Sequence, residues 1–226
     1  ASSAAQSEKA EQCVLTEIDR ESRILSSWDP ASEFSQWFRT RDDAVRVSPE
    51  LFEVLSLFDK WRGLTHGALD ASAEAITRVW KRAAAEHRLP TQIELNAAVA
   101  GVHQVHWKLD AVHGTATHTS DTPLAMNSFV KSYIAGRAAE MALGTSGAQG
   151  LVVNIGGDLV IRGDWSEPVE VADPKSDAEN GAPIERLLIR DRAVATSGDY
   201  RRGVEIGGRH YSHIVDPRTG LPAGEI

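Results

Sequence analysis

The residues with the clearest chemical potential lie near the end of the chain, in the segment of residues 211–220. Tyr211, His213 and Val215 alternate on one face of a predicted strand, and Asp216 follows in an Asp-Pro turn. An imidazole at a strand end, near a carboxylate and a turn, has the right chemistry for a general base. A hydrogen-bonded structural histidine explains the same pattern, so the segment by itself leaves both roles open.

Two further segments have compositions that suit a ligand. Residues 154–158 read Asn-Ile-Gly-Gly-Asp, and because a strand rather than a helix follows, the pattern does not indicate a Rossmann phosphate cradle. This leaves a structural bulge between two strands or a close approach of the backbone to a ligand. Residues 193–202 are a run of small residues that ends in hydroxyls, a glycine and two arginines. That run favours either an anion site or a loop with solvated arginines.

Four of the eight histidines fall within residues 103–118, a density that raises the question of a zinc site. No Cys, Asp or Glu triad completes a tetrahedron around His103, His106, His113 and His118. His106 alternates with Val105 along a predicted strand. We therefore interpret these side chains as solvent-facing strand histidines rather than metal ligands.

The elements that must position these residues begin with helices. The first predicted helix spans residues 10–25, with Glu17 on its polar face and Cys13 as a buried thiol. A later helix, residues 128–143, is predicted to turn Met141 inward. Between them, serine-proline and capping-box signals predict further helices at residues 49–62, 76–83 and 92–100.

Alternating apolar and polar residues predict strands after residue 101. A first pair joins across Gly114, and Gly207-Gly208 suits a two-residue hairpin turn. The polar stretch at residues 173–183 is predicted to be a surface loop. Helices crowd the first half and strands the second, which favours an α+β fold in a single domain over residues 1–226. The predicted strands are residues 105–109, 115–119, 151–155, 159–162, 187–190, 194–195, 204–206 and 210–215.

Composition narrows the function classes. The 226 residues carry a net charge of −8, so the chain is a poor candidate for holding nucleic acid through its phosphates. No stretch approaches the roughly 20 apolar residues that span a bilayer. Cys13 is the single cysteine, which excludes an intramolecular disulfide and a multi-cysteine zinc site.

Five motifs, taken together and in order, resemble those of the FAD:protein FMN transferases, the ApbE family. The first reads Leu-Ser-Ser-Trp-Asp-Pro-Ala-Ser-Glu at residues 25–33 and is similar to the family's S-x-Y-x-P-x-S-E. The second is Gly-Ala-Leu-Asp at residues 67–70, for G-A-F-D, and the third is Val-Asn-Ile-Gly-Gly-Asp at residues 153–158. The last two are Ala-Thr-Ser-Gly-Asp-Tyr at residues 195–200 and the segment of residues 212–220.

The resemblance implies an activity. Such proteins bind FAD with magnesium, transfer FMN to a threonine or serine hydroxyl of an acceptor flavoprotein, and release AMP. Some members instead hydrolyse FAD to FMN and AMP, so an FAD pyrophosphatase is the alternative activity. A non-catalytic FAD-binding protein is a further alternative, because Ala125 stands where the family has an aspartate that contacts FAD.

The resemblance also implies which residues contact the cofactor. Trp28 stands where the family has a flavin-contacting tyrosine, and an indole can stack on the isoalloxazine as well. Ala68, Leu69 and Asp70 match the turn on the adenosine side, with Asp70 placed to accept hydrogen bonds. Val215 matches an apolar flavin contact.

The catalytic and metal positions are implied in the same way. His213 matches the proposed base, and Lys131 matches a cofactor-contacting position. Ser128 matches a residue whose carbonyl helps to hold magnesium, while the remaining ligands are expected beyond Ile226. By this comparison we expect a fragment that lacks the family's N-terminal strand and its C-terminal metal-binding segment.

The resemblance implies a cell location and a partner as well. Family members are commonly periplasmic, often as inner-membrane lipoproteins, so we expect membrane association through a lipid anchor that is not in this chain. The partner would be the acceptor flavoprotein.

Overall fold

The computed structural model describes residues 3–173, 182–198 and 202–224. These residues form both helices and strands in small sheets, so the predicted α+β class is confirmed. The helices are α1 (Ala4–Leu25), α2 (Glu33–Phe38), α3 (Pro49–Leu64), α4 (Ala73–Ala85), α5 (Gln92–Val102) and α6 (Val130–Ser146). The strands are β1 (Ala44–Arg46), β2 (Trp107–Asp110), β3 (Thr115–His118), β4 (Gly150–Ile155), β5 (Asp158–Gly163), β6 (Ser166–Val171), β7 (Glu185–Arg190), β8 (Ala193–Val194), β9 (Gly203–Ile206) and β10 (Arg209–Ser212).

Internal contacts divide the chain into two compact units. The first unit consists of Ala1–Ser22 and Phe129–Ser197, and the second of Arg23–Ser128 and Gly198–Ile226. The single domain over residues 1–226 stays a prediction. Among the helices that the structure describes, none has the length and apolar character that crossing a membrane requires.

In the first unit, helix α6 packs on the antiparallel sheet β4-β5-β8, beside which strands β6 and β7 pair with each other. The face of α6 that meets the sheet is rich in alanine. Ala135 and Ala139 are fully buried and cluster with Val153 and Val160. Because these side chains are short, the helix backbone lies close to the strands. Met141 of the same helix was predicted to face inward; this prediction is wrong, since Met141 is 46% exposed.

Helix α1 differs from its predicted orientation. Glu17, predicted on the polar face, is buried, and so is Glu21, whereas Leu15 is half exposed. Both carboxylates accept hydrogen bonds from Arg20, and the Arg137 guanidinium of α6 lies 3.8 Å from Glu21. The spacing of polar and apolar residues does not predict the burial of these two carboxylates. A charged side chain can be buried when a cation is paired with it, and the pairing is not visible in the spacing.

The lone thiol and one strand also depart from the predictions. Cys13 is half-buried rather than buried, and its sulfur accepts a hydrogen bond from Thr145 Oγ1 at 3.3 Å.

Strand β6 was not predicted, since Pro168 and two glutamates weaken its pattern. Strand β7 supplies its full ladder of partners. Most of the predicted loop at residues 173–183 lies outside the described residues.

In the second unit, helices α3, α4 and α5 accompany the sheets β1-β3-β2 and β9-β10. One of its core clusters consists of Ile76, Trp80, Leu95, Ala98, Val102 and Ile206. The predicted capping box is confirmed: Thr91 Oγ1 accepts from the backbone of Glu94, whose carboxylate accepts from the backbone of Thr91. The two-residue turn at Gly207-Gly208 is confirmed as well, with φ of 60° and 76°.

Two of the four clustered histidines are buried, which corrects the prediction that they face solvent. His106 is 2% exposed, and its Nε2 donates to the Val102 carbonyl while its Nδ1 accepts from Ser120 Oγ. Burial lowers the pKa of His106. His118 is 4% exposed, and its Nδ1 donates to the Thr40 carbonyl. Alternation along the chain missed this because helix α2, itself not predicted, places Phe38 against the His118 ring.

Candidate functional site

His213 follows directly after strand β10 and is exposed. Its Nδ1 lies 3.1 Å from the carbonyl oxygen of Arg202. A carbonyl only accepts, so Nδ1 carries the proton in the neutral ring and Nε2 is left as the basic nitrogen. The geometry thus presents an exposed nitrogen that can take a proton. It does not pair His213 with the nearby Asp216.

Asp216 is instead held within its own turn. Its two carboxylate oxygens accept from Arg218 Nε and Nη2, both at 2.8 Å. The Arg218 guanidinium lowers the pKa of Asp216. The backbone carbonyl of Gly220 accepts from the indole of Trp80 at 2.9 Å. This hydrogen bond connects the turn to helix α4.

The neighbouring side chains of the segment face the core rather than solvent. The Tyr211 ring lies 5.0 Å from the Trp80 ring, and Val215 packs against the same cluster. The three residues predicted to share a face thus separate into two core contacts and one exposed imidazole.

A second site segment is the turn of residues 65–71 at the end of helix α3. Gly67 has a φ of 83°, and its N–H donates to the Arg62 carbonyl at 2.8 Å. The N–H of Leu69 donates to Thr65 Oγ1 at 3.0 Å. Ala68, between them, is exposed. The turn is held from both sides and presents its tip to solvent.

Asp70 closes this turn and is buried, with 4% exposure. Its Oδ1 accepts from the N–H and the hydroxyl of Ser72, at 2.8 and 2.6 Å. Its Oδ2 lies 2.8 Å from Arg62 Nε as an ion pair, although no aligned hydrogen bond reaches that oxygen. Arg62 also donates to the carbonyls of Val102 and Gln104. Asp70 is thus occupied by its own protein neighbours.

A cavity of about 430 Å³ lies between this turn and the Asp-Pro turn. Asp59 lines it, accepts from the indole of Trp107 at 3.1 Å, and has its pKa raised by burial. Sequence reasoning missed Asp59 and Arg62, because neither belongs to a motif. The lining residues are Asp59, Arg62, Gly63, His66, Gly67, Asp70, Val102, His103, Pro217 and Arg218.

The Trp28 turn adjoins the same region of the second unit. Ser26 Oγ accepts from the N–H groups of Trp28 and Asp29, and the indole of Trp28 is 75% exposed. Ser27 Oγ accepts from the N–H of Met126 at 3.1 Å. The preceding N–H, that of Ala125, donates to the carbonyl of Ala71 at 2.9 Å. Residues 124–126 thus connect the Trp28 turn to the turn of residues 65–71.

In the first unit, Lys131 lies in the first turn of helix α6. Its Nζ is 3.1 Å from Asp158 Oδ2, an oxygen that also accepts from the hydroxyl of Ser132 at 2.9 Å. Gly156 and Gly157 form the turn between β4 and β5, with φ of 55° and 92°, and Ile155 pairs with Asp158 across it. The glycines make a tight turn rather than a bulge.

The predicted anion site and the predicted magnesium contact are the two remaining site features. The arginine and hydroxyl run of residues 193–202 is only partly described, since residues 199–201 lie outside the described ranges. Ser128, the predicted magnesium contact, is exposed. Within the residues that the structure describes, no group of three or more His, Cys, Asp or Glu side chains is arranged to hold a metal ion.

Solved structures of ApbE proteins share this fold. The chain matches the crystal structure of the ApbE protein from Thermotoga maritima with a TM-score of 0.82 at 25% identity, over 96% of this chain and 71% of that one. It matches the flavin transferase ApbE from Vibrio cholerae with a TM-score of 0.72 at 26% identity, over 94% and 70% of the two chains. The fold is therefore that of the ApbE proteins.

The chain belongs to the ApbE family, whose profile matches residues 2–226. It is 30% identical to the FAD:protein FMN transferase of Vibrio cholerae over 221 residues, which is 92% of this chain and 64% of that protein. It is 29% identical to the FAD:protein FMN transferase of Chlamydia trachomatis, over 96% of this chain and 66% of that protein. The resemblance found in the motifs is confirmed, for a chain that spans just under two thirds of these relatives.

Proposed function

We propose that the protein transfers FMN from FAD to a threonine or serine hydroxyl of an acceptor flavoprotein and releases AMP. The observation that supports this most directly is the convergence of four motif segments in the second unit. The Trp28 turn, residues 124–126 and the turn of residues 65–71 are joined by hydrogen bonds. The last of these lines one cavity with the Asp-Pro turn. The names of the relatives supply the reaction class.

The proposed step is a phosphoryl-type transfer. The acceptor's hydroxyl oxygen attacks the phosphorus of the FMN half of FAD, and a new phosphoester bond forms. The bond between that phosphorus and the bridging oxygen breaks, and AMP leaves with the oxygen. The hydroxyl proton passes to Nε2 of His213, whose Nδ1–H is fixed on the Arg202 carbonyl.

The proposed cofactor contacts are those that the family resemblance implies. Trp28 offers an exposed indole face on which the isoalloxazine can stack. Ala68 and Leu69 form the tip of the turn that contacts the adenosine side, and Asp70 holds this turn from within. Val215, half-buried at the Asp-Pro turn, provides an apolar contact to the flavin.

Magnesium belongs to the proposal as a cofactor of the reaction, with the Ser128 carbonyl as one ligand. Magnesium prefers an octahedron of oxygen ligands, and one carbonyl does not make such a site. The described residues do not fit the ion on their own, since none of their acidic or imidazole groups form a cluster of three. No step above is therefore assigned to it.

The proposal extends to partner and location. The partner is an acceptor flavoprotein with a target threonine or serine, and the net charge of −8 argues against nucleic acid. We place the protein in the periplasm or on the inner membrane, held there by a lipid anchor outside these residues. Localisation of a tagged full-length protein by cell fractionation tests this.

Water is the competing acceptor. The His213 imidazole is exposed, so it can take a proton from water as readily as from a protein hydroxyl, and the result would be an FAD pyrophosphatase. A non-catalytic FAD-binding protein would hold FAD without releasing AMP. The same assay separates the three.

The test is to incubate the protein with FAD, magnesium and an acceptor domain, and to measure AMP and acceptor-bound flavin. We expect both products, and a loss of about 100-fold or more in His213→Ala, because a general base contributes this much. His113→Ala is the matched control, since that imidazole is also exposed but lies in the β2–β3 turn. Full turnover in His213→Ala would refute the base assignment.

A further inference from the structure

The Asp158 carboxylate receives two side chains from the first turn of helix α6. Its Oδ2 is 3.1 Å from Lys131 Nζ and 2.9 Å from Ser132 Oγ. These residues are adjacent in sequence, so one oxygen fixes both the amine and the start of the helix. The contact joins α6 to the β4–β5 hairpin within the first unit.

The hairpin turn determines where this carboxylate lies. Gly156 and Gly157 both have positive φ, which allows a two-residue turn that other residues adopt only with strain. The N–H of Gly157 donates to Asn154 Oδ1 at 3.0 Å and stabilises the turn. Asp158 pairs with Ile155 immediately after it, so the position of the carboxylate is set by the register of the hairpin.

The two partners of the ion pair differ in exposure. The Asp158 side chain is 14% exposed, whereas that of Lys131 is 43% exposed. An ammonium group has three N–H donors, and the carboxylate oxygen needs only one of them. The pair therefore orients the amine and leaves it able to donate to an anionic ligand.

We propose that Asp158 is a positioning residue that holds the Lys131 amine in place to bind a phosphate group of the cofactor. This inference rests on the proposed function, together with the cofactor contact that the family resemblance implies for Lys131. Ser132 supports the same arrangement, because its hydroxyl donates a second hydrogen bond to Oδ2 and restrains the rotation of the carboxylate.

The experiment compares Asp158→Asn with wild type in FAD titrations and steady-state turnover. We expect the KM for FAD to rise about tenfold, because this corresponds to the loss of one charge-assisted hydrogen bond. The kcat should change much less. Asp158→Glu should recover part of the loss. The matched control is Asp164→Asn, since Asp164 pairs with Arg190 in the same unit but is 77% exposed.

A second readout does not depend on activity. The rate at which Lys131 is reductively methylated, measured by mass spectrometry of its peptide, should rise in Asp158→Asn and stay unchanged in Asp164→Asn. If wild type neither binds FAD nor releases AMP, the proposed function fails, while the methylation rate still reports on the Asp158–Lys131 pair. An active wild type with an Asp158→Asn variant equal to it in both KM and methylation rate would overturn the positioning role.

Discussion

Asp70 in the second unit and Asp158 in the first are built alike and differ in what they leave open. Each pairs with one cation and accepts from a serine hydroxyl, and a glycine with positive φ lies three residues before Asp70 and directly before Asp158. The Asp70 side chain is only 2% exposed, and its partner Arg62 also donates to two backbone carbonyls. Lys131, the partner of Asp158, is 43% exposed.

The difference shows how one local pattern serves two purposes. The buried Asp70 carboxylate accepts hydrogen bonds from Ser72 and pairs with Arg62, so its charge stabilises the turn. Around Asp158 the cation keeps donors available. The family resemblance predicts a cofactor contact at Asp70, and this stays a prediction. In the structure the carboxylate is buried and accepts from Ser72 within its own turn.

The largest expected effect concerns stability. Asp70→Ala leaves the Arg62 guanidinium and the Ser72 hydroxyl without their buried partner, so we expect a loss of about 2–3 kcal/mol in the free energy of unfolding. Asp158→Ala removes a half-exposed pair and should cost less than about 1 kcal/mol. Urea unfolding measures both. Equal losses would contradict the distinction between the two aspartates.

A smaller effect is expected at the cation of the buried pair. Arg62→Lys keeps the charge but loses the fork that reaches Val102 and Gln104, so we expect about 1–2 kcal/mol of destabilisation. Arg218→Lys is the control, because that guanidinium is half exposed and bonds within its own turn. A neutral Arg62→Lys would mean that the carbonyl contacts contribute nothing to stability.

The smallest expected effect is a difference between the two units in how their stability depends on pH. All eight histidines lie in the second unit, and burial lowers the pKa of His106 below its ordinary 6.5. The unfolded chain then binds a proton that the folded state refuses, so stability is present above pH 6.5 and declines as the pH falls toward the folded-state pKa. In the first unit, hydrogen bonds from Arg20 lower the pKa of Glu17, whose contribution holds until the pH falls below 4.5.

Hydrogen exchange of helix α5, corrected for the intrinsic rate, measures this difference. Exchange should accelerate between pH 6.5 and 5, and His106→Asn should flatten the dependence. An unchanged dependence in His106→Asn would assign the effect to other groups. Asp59 is not one of them, because burial raises its pKa and its contribution to stability therefore changes with pH in the opposite direction.

The parts of the fold that were predictable depend on neighbours in sequence. The Thr91–Glu94 capping box and the Gly207-Gly208 turn are local, and each formed where its residues predicted it. Strands β4 and β5 were predicted as well, whereas the tight turn between them was not. The burial of Glu21 and of His118 was not predictable. Glu21 lies beside Arg137, which is distant in sequence, and His118 packs against Phe38 of a helix with a weak local signal. Strand β6 depends on the ladder that β7 provides.

In the candidate site, too, the local motifs were predictable and the contacts between distant residues were not. The motifs located the turns that converge in the second unit. His213 was predicted as a base from its residue type and setting and from the resemblance, and that role stays a prediction. Arg62 and Asp59 were missed because a charged residue at the end of a helix is ordinarily a solvated one. Only the packing of helix α3 against the Asp70 turn and against Trp107 gives them a role.

The most direct test of the account is the mass of the acceptor protein after incubation with FAD, magnesium and this protein. We predict an increase equal to FMN less one water molecule on a threonine or serine, one AMP released per modified acceptor, and formation of both products about 100-fold or more slowly with His213→Ala. AMP release with an unmodified acceptor, or bound FAD that stays intact, would contradict the proposed transfer.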